Sequence, residues 1–129
     1  MNCLKPVHQT LIDQVIRKAK DDNRVIGVVL FGSSLLKSNY HDIDLCLIPN
    51  TAGDSTELFK EYLYSTQEPI DIRIFDELPL YIQVRVIKEG KILMQKNYDK
   101  IFQRYMDTLI NWRDFEPHFQ IYLEAIKHG

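Results

Sequence analysis

The sequence predicts an α/β fold. Three observations carry it: a nearly continuous β-branched run at "RVIGVVLF", an alternating stretch at "PIDIRIF", and segments of helical period around them. "HQTLIDQVIRKAKDD" places Leu11, Ile12, Val15, Ile16 and Ala19 at helical spacing, with cations towards its end, which suits a first helix. "RVIGVVLF" predicts a strand covered on both faces; Gly32-Ser33-Ser34 breaks it and "SSLLKS" comes next as a short helix. "DIDLCLI" is a second strand ended by Pro49-Asn50, and "TAGDSTELFKEYLYST" supplies a loop, Asp54 or Ser55 as N-cap, and a helix. In "PIDIRIF", Ile70, Ile72 and Ile74 alternate with Asp71 and Arg73, a third strand with one polar face. "ELPLYIQVRVIKEG" predicts a helix closed by Gly90, and "KILMQ" a short edge strand. The remainder predicts two helices, or one bent at Asp114 to Pro117, where Asp114 offers a cap and Pro117 fits a first helical turn.

Composition narrows the classes. A chain of 129 residues suits one domain, 1–129, with a core at about 8–95 and a helical segment at about 97–127. A net charge of −2 gives no general attraction to nucleic acid, so any polyanion must be gripped locally. The longest apolar stretch, Val25 to Phe31, is far short of a membrane span, and Met1 to Thr10 lacks a signal peptide's apolar centre; a cytoplasmic location is expected. Cys3 and Cys46 have no metal-site spacing, and Cys46 is expected to be a small buried residue.

The chemistry concentrates in "VVLFGSSLLKSNYHDIDLCLI". Asp42 and Asp44, two apart on a predicted strand, project from one face while Ile43 and Leu45 face the other. Such a like-charge pair is unfavourable unless a cation sits between them. Oxygen ligands of this kind suit Mg²⁺, which binds through one or two carboxylates plus substrate phosphates. Asp71 lies on the polar face of the next strand, where a third oxygen ligand joins and the set is large enough for two ions. Ser33 and Ser34, after Gly32, sit where a strand feeds a helix N-terminus, a place for phosphate. His41 is expected to be a loop histidine, and Asp76 a helix cap, rather than ligands.

"FGSS…DIDLCLI…PIDIRIF" resembles the nucleotidyltransferase motif of the DNA polymerase β superfamily: a Gly-Ser turn, a DxD pair and a third Asp. The segment "LPLYIQVRVIKEGKILMQKNYDKIFQRYMDTLINWRDFEP" is similar to the region beyond that motif in the minimal nucleotidyltransferase (MNT) antitoxins paired with HEPN toxins, so the likeness covers most of the chain from about Val25. The resemblance implies a twisted mixed sheet flanked by helices, two Mg²⁺ ions, and transfer of AMP from ATP to a hydroxyl, in the antitoxin case a tyrosine of the HEPN partner. By position it implies Gly32, Ser33, Ser34 and Lys37 on the triphosphate, Asp42 and Asp44 on both metals, and Asp71 on the metal nearest the attacking hydroxyl.

The loop "SLLKSNYH" is shorter than is usual for this motif, and Lys37 is its cation, with Leu35 and Leu36 where related motifs often carry arginine. Two alternatives stay open: an MNT-fold antitoxin of little or no activity that neutralises its toxin by binding, and a transferase acting on a small molecule such as an aminoglycoside. Finally, Phe102, Tyr105, Trp112, Phe115, Phe119 and Tyr122 are more aromatics than a small core can bury from one terminal segment, so some are left for a partner.

Overall fold

The computed structural model describes residues 4–32, 42–51, 53 and 55–128. The elements run α1 (Pro6–Lys20), β1 (Val25–Phe31), β2 (Ile43–Pro49), α2 (Ser55–Ser65), β3 (Ile70–Ile74), a 3₁₀ turn (Phe75–Glu77), α3 (Leu80–Glu89), β4 (Lys91–Gln95) and α4 (Tyr98–His128). Four strands form one mixed sheet in the order β3-β2-β1-β4. β1 is antiparallel to both β2 and β4, and β2 is parallel to β3. The short helix expected at "SSLLKS" and the cap at Asp54 lie outside the described residues.

Helices cover both faces of the sheet, as strands that are apolar on both sides require. Ile43, Leu45 and Leu47 of β2 join Val28, Leu30, Ile70, Ile72 and Ile74 against Ile12, Val15 and Ala19 of α1 and Leu58 and Tyr62 of α2. The alternate residues Cys46 and Ile48 join Ile26 and Val29 against Phe75, Val86 of α3 and Ile101 of α4. The period of two along β2 therefore decides the placement of its acidic residue: Asp44 shares the face of Cys46, towards α3.

Gly90 closes α3, but at φ −72° rather than in a left-handed cap. The reason for glycine is space: a Cβ there would stand 2.6 Å from Val29 Cγ1 and against the Val86 carbonyl. α4 continues through Pro117 as a single helix, with Asp114 inside it beside Arg113 rather than capping a second one. The rings of Trp112, Phe115 and Phe119 pack together across this turn, with centroids 5.5 to 6.0 Å apart, and offset the main-chain bond that proline forgoes. Arg104 ties α4 to the sheet, donating to the carbonyls of Pro49 (2.6 Å) and Asn50 (3.3 Å).

Candidate active site

The acidic residues meet at the end of the sheet where β2 and β3 begin. Asp44 and Asp71 are direct register partners on the parallel pair, so their side chains leave the same face of adjacent strands. Across the antiparallel pair, Asp44 is opposite Phe31, the last residue before the Gly32 turn. Gly32 has φ +86°, a conformation that suits glycine, and a Cβ on it would overlap the Asp44 carboxylate. The turn and the carboxylate therefore interlock. Asp42 lies just ahead of β2 and is exposed, where the DxD spacing predicted a second strand position on the face of Asp44.

Two clefts open around these groups. One, of about 220 Å³, is lined by Gly32 and Asp44 on the sheet side and by Ile82, Arg85 and Glu89 of α3 on the other. The second, of about 460 Å³, holds Asp42 and Asp71 beside Glu68, Pro69 and the end of α2. Asp44 sits on the boundary, looking into the first cleft while pairing with a residue of the second.

Burial drives the Asp44 carboxyl above its usual range, the Asp71 charge beside it pushes further, and Asp42 adds to this while Arg73 opposes it; the result lies at about 6. Asp71 is held by Arg73, whose guanidinium donates to Oδ2 at 3.0 Å. Among the described residues no group of three or more His, Cys, Asp or Glu stands ready-made as a metal cage. What is present is a half-buried carboxylate destabilised by a neighbouring carboxylate, with a third acidic side chain exposed nearby. Those donors fit Mg²⁺, which takes one or two protein carboxylates and fills its remaining positions with water and phosphate.

The sequence brought Asp42, Asp44, Asp71 and Gly32 to one end of the sheet, where the structure places them. Ser33, Ser34, Lys37 and His41 lie outside the described residues. Asp76 is not a cap: it sits in the 3₁₀ turn with no capping hydrogen bond and faces Arg104 at 3.5 Å. Arg73, Arg85 and Glu89 were not singled out from the sequence. Arg73 was legible, because it is two residues after Asp71 on the same strand face; Arg85 and Glu89 were not, because the docking of α3 on the sheet puts them in the cleft.

A mixed sheet with helices on both faces thus carries, at the beginning of two adjacent strands, paired carboxylates beside a left-handed glycine turn, a donor set suited to a phosphate-bound Mg²⁺ ion. The family model "Polymerase beta, Nucleotidyltransferase" matches residues 13–99, and the chain belongs to this family of nucleotidyltransferases. It is 35% identical over 97 residues, 73% of this chain and 75% of the relative, to a Methanocaldococcus jannaschii protein provisionally named a protein adenylyltransferase. Among solved structures, it shares the fold of a chain in the complex of a tri-AMPylated Shewanella oneidensis HEPN toxin with MNT antitoxin (TM-score 0.65, 15% identity, 92% of this chain and 98% of that one). It also shares the fold of a toxin–antitoxin structure with AMP-PNP (TM-score 0.65, 18% identity, 89% and 98%). Among the described residues no helix is long and apolar enough to cross a membrane.

Proposed function

We propose that this nucleotidyltransferase transfers AMP from ATP to a hydroxyl of a protein partner, a HEPN-type toxin tyrosine, and thereby acts as an antitoxin. The observation that carries the reading is the Asp44–Asp71 register pair beside the Gly32 turn. The name of the M. jannaschii relative and the AMP-bearing HEPN toxin in the structural neighbour support the choice of AMP and of a protein acceptor. The AMP-PNP in another neighbour supports ATP as donor.

Asp42, Asp44 and Asp71 would hold Mg²⁺, as two ions; when bound, the metal lowers the pKa of the attacking hydroxyl and offsets charge on the leaving pyrophosphate. Gly32 and the turn it opens, with Ser33, Ser34 and Lys37, would take the triphosphate, and the Cβ-less Gly32 leaves the Asp44 carboxylate in contact with that turn. Asp71, on the opposite side of Asp44, orients the acceptor hydroxyl and receives its proton at the carboxylate as the new ester bond to the α-phosphorus forms and the bond to pyrophosphate breaks.

A second reading has its own support: Arg73 already neutralises Asp71 from within the chain, so an antitoxin that works by covering its toxin is compatible with this site. Intact-mass spectrometry of a co-expressed HEPN toxin separates the two. AMP-sized mass increments that vanish with Asp44→Asn support transfer. An unmodified but neutralised toxin assigns the binding role.

A further inference from the structure

α4 has 31 residues, about 46 Å at 1.5 Å per residue, and its two halves live in different surroundings. The first half is packed on the sheet, with Ile101 and Thr108 buried and Tyr105 against the core. From residue 113 to residue 128 every side chain is exposed except that of Phe119, which is half-covered. The apolar stripe nevertheless continues without interruption. Ile101, Tyr105, Thr108 and Trp112 keep a 4-3-4 spacing, and Phe115, Phe119, Tyr122 and Ile126 repeat it in the exposed half, a heptad seam that among the described residues meets only the start of α3 at Phe119. Phe115 is 42% exposed, and Tyr122 and Ile126 are each 60% exposed.

We propose that this half of α4 seats a second copy of the chain, the two helices running antiparallel about a twofold axis between Gln120 and Ile121. The spacing is symmetric about that point, so an antiparallel copy stacks Phe115 on Ile126 of the other copy and Phe119 on its Tyr122, each layer formed twice. These are the mixed layers that two antiparallel heptad seams form.

Charge selects the direction. Arg113 pairs with Asp114 and Glu124 with His128 within the helix, which leaves Glu116 near the start of the segment and Lys127 at its end as the charges without an ion pair among the described residues. Antiparallel copies therefore set unlike ends and opposed helix dipoles side by side, whereas parallel copies would set like ends together. The groove beside the seam supplies a wall: Pro79, Leu80 and Tyr81 flank it, Tyr81 stacks on Phe119 with centroids 5.5 Å apart, and the space between measures about 560 Å³. The exposed apolar surface of the seam and its flanking Leu123 is on the order of 500 Å² per copy, so pairing buries about 1,000 Å², at the lower bound for a specific interface. The dimer is accordingly reversible and concentration-dependent.

Sedimentation of the full chain from low to high micromolar concentration tests this. The wild type shifts from monomer to dimer, and Ile126→Glu, at a 60% exposed position, weakens association by at least about tenfold without moving the thermal midpoint. In a Cys3→Ser background, a mixture of Phe115→Cys and Ile126→Cys chains forms a disulfide-linked dimer on mild oxidation, while either variant alone does not. A chain that stays monomeric throughout overturns the proposal, and if a co-expressed HEPN toxin then protects this face, the groove belongs to the toxin. Self-cross-linking of single variants, or a dimer that Ile126→Glu leaves intact, also overturns it.

Discussion

Asp44 of β2 and Asp71 of β3 are side-by-side register partners on a parallel strand pair, and burial, with the Asp71 charge beside it, raises the half-buried carboxyl of Asp44. Nothing about folding requires two carboxylates there. The fold tolerates them because Arg73 neutralises one of them and because the remaining charge faces a cleft rather than the core. A structural cost concentrated at one cleft is a mark of a site built for a ligand.

The first prediction rests on that cost. The Asp44 carboxyl rises from 3.8 to about 6 on folding, so the native state holds the proton more tightly than the unfolded chain. Stability is then unaffected below about pH 4, falls as pH rises towards 6, and stays reduced above it. Asp44→Asn should stabilise the metal-free protein at pH 8 by about 1–2 kcal/mol, the full shift being discounted for partial exposure, and the gain should disappear at pH 4. Urea midpoints at both pH values check this; an equal effect at the two would remove ionisation of the half-buried Asp44 as its cause.

Gly32→Ala should be more damaging than its position on a surface turn suggests. It asks an L-residue to hold φ +86° and places a methyl on the Asp44 carboxylate. The expected loss is about 1–2 kcal/mol of stability, together with loss of ATP binding, read by calorimetry. Unchanged ATP affinity would separate the turn from the nucleotide.

Removal of the divalent ion and removal of Asp71 should act differently. Chelation by EDTA should abolish ATP binding, because the triphosphate would then meet the bare carboxylates of Asp42 and Asp44. Asp71→Asn should leave ATP affinity within a few-fold while AMP transfer slows by about two orders of magnitude or more, since Asp71 serves the attacking hydroxyl rather than the phosphates. Equal labelling of a partner by wild type and variant would make Asp71 structural.

At the opposite corner of the molecule, Asp22 accepts from Arg24 Nε (2.9 Å) and Nη2 (2.8 Å) and from the buried Tyr62 hydroxyl (3.0 Å). Its carboxyl is lowered from 3.8 to about 2, chiefly by the Arg24 side chain. This contribution is fully present above about pH 4 and is lost as pH falls through 2. Asp22→Asn should therefore cost about 1–2 kcal/mol at pH 7, with most of the difference gone near pH 2, measured by chemical denaturation.

Periodicity made the strands and helices legible: the β-branched continuity of β1, the alternation of β3 and the 3.6-residue period of α1 depend on local chemistry alone. The DxD spacing also told which face Asp44 would take, because residue i and residue i+2 of a strand share a side whatever the rest of the chain does. Asp42 slipped from that rule because β2 starts one residue later, where the Ile43 amide first finds an acceptor, the carbonyl of Pro69.

Spacing within short windows settled the element order, the core residues and the identity of the acidic cluster. Long-range packing settled that Asp44 pairs with Asp71, that Arg85 and Glu89 close the cleft, and that Gly32 must leave room for a carboxylate. Pro117, which local rules place at a helix start, instead lies inside a continuous helix with the rings of Trp112, Phe115 and Phe119 packed together around it. The reason is physical. Strand register and helix docking are free energies between segments distant in sequence, and local propensities are too small to set them.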